Sequence, residues 1–169
     1  MTKNDSDYKA IIRKQYANYL DVTPTAETYS WKLLGYGITN GLINYNNQIE
    51  TQKFIIDENS TSVHESNQKQ MDLTQKCYKG EPCFEYINGL RDKTGEKVQG
   101  RILEVDMWNG TESSSTITYP AKLSKCITPV SSFMGEKAEI GYSIHFNGDP
   151  IEGTVTFANG VPTFTPTAE

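Results

Sequence analysis

Glu104 and Asp106, two residues apart in RILEVDMW, come nearest in this 169-residue chain to a catalytic pair. Alternate residues of a strand share a face, and glycoside hydrolysis uses two carboxyls about 5 to 10 Å apart, a separation that this spacing satisfies. Acidic pairs are also ordinary on solvated strand faces, and the rest of the sequence offers catalysis no support. It holds no phosphate-cradling Gly-rich loop, nucleophile elbow or metal cluster. His64 lies in a polar stretch and His145 on the outward side of an alternating run, neither beside a pattern that makes it a base. Cys77, Cys83 and Cys126 include no C-x-x-C pair and have only the two histidines to join them, so no zinc site is expected. The reading is therefore no enzyme, with no catalytic, cofactor-binding or metal residue assigned.

Bulk properties narrow the class. The length suits one domain. Sixteen Lys and Arg against 21 Asp and Glu give a net charge of -5, which argues against a protein that grips nucleic acid. No apolar run approaches the roughly 20 residues of a membrane span, and no signal-peptide pattern opens the chain. A soluble protein made in the cytoplasm with free thiols is expected; a Cys77–Cys83 disulfide would suit a secreted one.

The elements that carry these residues read mostly as strands. In RILEVDMW, Leu103, Val105 and Met107 share the core face, leaving Ile102, Glu104, Asp106 and Trp108 on the other. Ile140, Tyr142, Ile144 and Phe146 face the core in EIGYSIHF, and Val155 and Phe157 repeat the pattern. Ile117, Tyr119, Ala121 and Leu123 share a face in STITYPAKL, where Pro120 implies an edge or a bulge. Asn109-Gly110, Asn147-Gly148-Asp149 and Asn159-Gly160 are hairpin chemistry. One short helix is predicted at about 81–91, with Pro82 in its first turn and Cys83, Phe84, Ile87 and Leu90 on one face. The fold class is mainly β, an antiparallel β-sandwich or open barrel with that helix. Spacings of three and four among Tyr8, Ile11, Ile12, Gln15, Tyr16 and Tyr19 predict a short amphipathic helix over residues 6–20.

The stretch from Trp31 to Ser66 differs from all of this. Apolar runs Leu33–Ile43 and Phe54–Ile56 flank a polar elbow, Asn44 to Gln48, and read as strand, turn, strand. Residues 57–70 are polar except for Val63, with nothing to bury against their own fold. Such a segment is expected to reach another subunit.

Four features in this order and spacing, spanning roughly residues 13–158, carry a family resemblance. They are the W-x-L-x-G-x-G-I strand from Trp31 with its Asn-rich elbow, then Ile49 to Asn59, GEPCFEYINGLRD from Gly80, and HFNGDPIEGT from His145. The chain resembles the major tail tube proteins of bacteriophages with long non-contractile tails, especially those of Gram-positive hosts. The resemblance implies stacked hexameric rings whose inner sheets join edge to edge into a conduit for DNA ejection. It implies an N-terminal arm (1–28), an inter-ring loop (57–70) carrying Asp57, Glu58, Asn59, Ser60, Thr61, His64 and Glu65, and a C-terminal arm (159–169). Implied partners are further copies of the chain, a tape measure protein inside the tube, and terminator and distal tail proteins at its ends. DNA would pass without specific binding, no membrane or cofactor would be involved, and the product would reside in the virion after assembly in the host cytoplasm.

A lumen that DNA must traverse has to avoid binding phosphate. Six to ten Lys or Arg contacts suffice for nonspecific Kd values of about 10⁻⁴ to 10⁻⁶ M, whereas carboxylates repel the duplex. On this reading Glu104, Asp106 and Glu139 are the lumen-facing acidic candidates. Two rivals remain, a secreted β-sandwich binding or inhibitor module and the tube of a contractile or secretion system.

Overall fold

A computed structural model describes residues 9–114 and 116–168. It is mainly β. The strands are β1 (Tyr16–Asp21), β2 (Trp31–Leu33), β3 (Ile38–Asn44), β4 (Asn47–Gln52), β5 (Thr61–Asn67), β6 (Gln70–Lys76), β7 (Gln99–Asp106), β8 (Thr111–Ser113), β9 (Thr116–Ile127), β10 (Val130–Phe133), β11 (Glu139–Ala158) and β12 (Val161–Pro166), with helix α1 at Pro82–Asn88. Ten strands form one sheet in the hydrogen-bonded order β2-β1-β7-β9-β11-β6-β3, with β8 on β9 and β10 and β12 on β11; β4 and β5 form a separate two-stranded sheet. The chain divides into two compact units.

The first unit holds residues up to Leu34, Arg101–Ser124 and the chain from Asp149. Its centre is β1, paired on both sides, with Tyr19 opposite Leu33 on β2 and Leu103 on β7. Ala17, Tyr19, Trp31, Leu103, Val105, Ala121, Leu123 and Val155 make one buried cluster against which Tyr119 and Phe157 pack. The Tyr19 and Tyr119 rings lie 5.9 and 5.7 Å from that of Phe157, within the range of favourable aromatic pairs. Asp21, at the end of β1, is fully buried. It accepts from Arg101 Nε at 2.8 Å and from the Thr23 and Ser30 amides at 3.0 Å. Arg101 also donates to the Ala26 carbonyl at 3.0 Å and lies over the Tyr29 ring, so the β1–β2 connection is tied down by one ion pair.

The second unit holds Gly35–Gly100 and Lys125–Gly148. Here β6 pairs β3 on one side and β11 on the other, with Met71 opposite Ile144 and Leu73 opposite Tyr142. All four side chains are buried. Helix α1 buries Cys83, Phe84 and Ile87, and Glu81 caps it by accepting from the Phe84 amide at 2.5 Å. Gln75 joins strand to helix: its Nε2 donates to Glu81 at 2.9 Å and to the Tyr36 carbonyl at 3.0 Å, while its Oε1 accepts from the Tyr142 hydroxyl at 3.1 Å. Gly141 lies under Ser132, where a Cβ would come within 2.3 Å of its Oγ.

Several expectations are corrected. Residues 9–12 have no regular structure, Arg13–Gln15 is one 3-10 turn, and Tyr16–Asp21 is strand; residues 6–8 of the predicted helix lie outside the described residues. The arm assigned to 1–28 thus contains a buried strand, and the arm assigned to 159–169 contains β12, registered with β11 from Gly153 to Ala158. Asn159 and Gly160, at φ 51° and 78°, make the tight turn expected there. Asn147-Gly148-Asp149 makes none. Gly148 takes a positive φ of 68° inside β11, which runs on through it for 20 residues. Asn109 closes a short 3-10 turn instead of a hairpin, and β9, despite Pro120, has hydrogen-bonded neighbours on both sides in β7 and β11.

Candidate functional site

The polar stretch forms a hairpin. β4 pairs β5 from Asn47 opposite Asn67 to Gln52 opposite Thr61, with a register shift after Gln48. Every residue of both strands is exposed. The strand expected to include Phe54–Ile56 stops at Gln52. Those three residues form the tip, where the Asp57 amide donates to the Phe54 carbonyl at 3.0 Å and the Phe54 amide to Asp57 Oδ2 at 3.2 Å. The closed turn directs the apolar side chains outward, leaving Phe54 64% and Ile56 92% exposed and Ile55 wholly so.

Of the inter-ring candidates, Asp57, Glu58, Asn59 and Ser60 lie in the connection at the tip and Thr61, His64 and Glu65 on β5. His64 hydrogen-bonds Asn67 at 2.8 Å. Residues 47–67 carry Glu50, Asp57, Glu58 and Glu65 against Lys53 as the single Lys or Arg, so the hairpin is acidic.

A joint separates this hairpin from the β3–β6 ribbon beneath it. Asn46 takes φ 45°, its Nδ2 donates to the Gln68 carbonyl at 3.0 Å, and the Gln68 amide donates to the Tyr45 carbonyl at 2.9 Å. Lys69 sets its ammonium 4.3 Å from the Phe146 ring centre and 5.5 Å from that of Tyr45, a cation–π clamp across the joint.

The acidic candidates separate. Glu104 is buried, 3% exposed, opposite Asn18 on β1, and its carboxylate accepts from the Tyr16 hydroxyl. It does not lie on a solvated face, and Ile102 beside it is buried too. Asp106, opposite Tyr16, and Glu139, at the start of β11, are half-buried. Alternation put polar residues outward here, but both faces of this strand are covered and Tyr16 supplies the donor that Glu104 needs.

All three cysteines are free thiols. Burial, and then Glu139, push the Cys77 thiol up against an opposing pull from Arg91, which disfavours its nucleophilic thiolate. Tyr142 is held well above the usual tyrosine range, first by burial and then by Cys83 and Glu81. Among the described residues no three His, Cys, Asp or Glu side chains could hold a metal ion, and no helix is long and apolar enough to cross a membrane. Neither a protein-family model nor a curated protein matches this chain.

Sequence reasoning found the segment but not its form. It missed the tip, because Phe54–Ile56 followed by a polar run reads as the end of a strand. The signal was the Asp57 that closes the turn.

Proposed function

We propose that this chain is a structural protein, the tail tube subunit of a bacteriophage with a long non-contractile tail, and acts as a passive conduit with no catalysis of its own. The observation that carries the reading is the β4–β5 hairpin, in which no side chain is buried and whose tip presents Phe54, Ile55 and Ile56. An isolated two-stranded hairpin is marginal in water, and exposed apolar clusters mark contact surfaces. A hairpin of this kind is supported by what it docks on, and stacked copies of the chain supply that.

The sheet margin supports the same reading. Among the described residues β3 has β6 as its one hydrogen-bonded neighbour and leaves its other edge open, a liability unless another strand pairs with it. Such edges joined head to tail close into a ring, taken as hexameric from the family resemblance. Asp106 and Glu139 remain the proposed acidic lining, and Glu104, being buried, leaves it. The tape measure protein would fill the tube during assembly, and terminator and distal tail proteins would close its ends.

The test replaces residues 47–67 with an Asn-Gly turn joining β3 to β6. The variant should fold as a monomer and form no tubes in negative-stain electron microscopy; tubes of normal length would refute the role. Asp106→Lys with Glu139→Lys should leave tubes assembled while genome delivery falls, and undiminished infectivity would remove both residues from the lining.

A further inference from the structure

The first described residues of the chain are the chemical counterpart of the hairpin tip. Residues 9–14 read KAIIRK: Ile11 and Ile12, 59% and 49% exposed, stand between Lys9 on one side and Arg13 and Lys14 on the other. No other six-residue stretch of the sequence holds three basic residues without a carboxylate. Residues 9–12 lie in no helix or strand, and Ile12 is held by Gln15, whose Oε1 accepts from the Ile12 amide and whose own amide donates to the Ile12 carbonyl, both at 2.9 Å. The Arg13 guanidinium lies over the Tyr16 ring at 5.6 Å, which leaves Lys9 and Lys14 as the outward charges. At the tip, Phe54, Ile55 and Ile56 are followed at once by Asp57 and Glu58.

We propose that the hairpin tip of one copy docks on residues Lys9–Lys14 of a second copy, with Phe54–Ile56 against Ile11 and Ile12, and Asp57 and Glu58 against Lys9 and Lys14. The inference rests on the tube reading and names the partner of its hairpin. An acidic patch and a basic patch on each copy let the contact run head to tail, each copy giving its tip to one neighbour and its basic segment to another. Apolar contact supplies most of the affinity, while the charges set register and exclude tip-to-tip pairing, in which carboxylates would face each other.

Charge exchange on the full chain tests this, read by sedimentation velocity over a concentration series and by electron microscopy. Asp57→Lys with Glu58→Lys should raise the concentration of half-association at least about 10-fold, and Lys9→Glu with Lys14→Glu should do the same. All four substitutions together should return it to within about 3-fold of the parent, since the pairs re-form with reversed sign. Lys9, Lys14 and Glu58 are exposed, and the carboxylate of half-buried Asp57 bonds the Phe54 amide within the tip, so circular dichroism and melting of the buried cores should not change. Added salt should weaken the parent's association. Unaltered association of the Lys9/Lys14 variant, or no recovery in the fourfold variant, overturns the docking. If tubes form regardless of the exchanges, the docking fails and the tube reading stands. If the exchanges govern association into particles that never become rings or tubes, the docking stands and the tube reading fails. A parent that stays monomeric at every concentration refutes both.

Discussion

Strands β5 and β6 are seven residues each, separated by Gln68 and Lys69, yet one buries nothing and the other is part of a core. β6 alternates, with Met71, Leu73 and Gln75 buried between exposed neighbours, and a pairing strand lies on each side of it. β5 has the same backbone geometry and β4 on one side, but its thin apolar content, Val63 alone, faces water. Strand formation is common to both. Stability separates them, because it comes from what the side chains reach once the ladder exists.

Substitutions should divide along the same line. Leu73→Ala removes a buried side chain opposite Tyr142 and should cost about 2–5 kcal/mol in denaturant unfolding; a loss under about 1 kcal/mol would mean that β6 is no more anchored than β5. Gln75→Ala leaves the Tyr142 hydroxyl and one Glu81 contact unmet, and about 1–3 kcal/mol should go with it. The third test is alkaline. Folded Tyr142 keeps its proton beyond the pH of about 10 at which the unfolded chain releases it. Its contribution is therefore intact below that pH and declines as pH climbs further, by up to about 1.4 kcal/mol per unit. Unfolding of Tyr142→Phe between pH 9 and 11 should show a shallower decline than the parent, and parallel curves would reject the assignment. Smallest of all, Val63→Ala on β5 should change monomer stability by less than about 0.5 kcal/mol. A larger change would show that the monomer already buries the hairpin.

The strands that read correctly from sequence are those with one covered face. Ile140, Tyr142 and Ile144 alternate as expected and are buried, whereas on β7 Leu103 and Val105 are buried as expected but Ile102 and Glu104 on the other face are buried too. α1 falls inside its predicted range, with Pro82 and Cys83 at its start. Strand β1 failed for the opposite reason. Leu20 and Asn18 on one face and Ala17 and Tyr19 on the other are all buried, and a strand covered on both sides loses the period-two signature. The tyrosines three apart then imitated a helix. Glu104 misled in the same way, since its Tyr16 partner lies 88 residues away in sequence and no local pattern encodes it. The β5 half of the hairpin, inside the polar run 57–70, read as an arm because neither of its faces meets a core, so no periodicity marks it as strand. That absence of pattern was the informative signal for the site.

The clamp of Lys69 between Phe146 and Tyr45 makes the hairpin a lever. Six residues of β4 at about 3.4 Å each put the tip about 20 Å beyond the joint, so a rotation of about 10° at Asn46 and Gln68 would sweep Phe54–Ile56 through about 3–4 Å. That is close to the van der Waals spacing between neighbouring carbon atoms. Where the apolar tip lands is thus decided far from it, by the hydrogen bonds of Asn46 and Gln68 and by one ammonium between two rings.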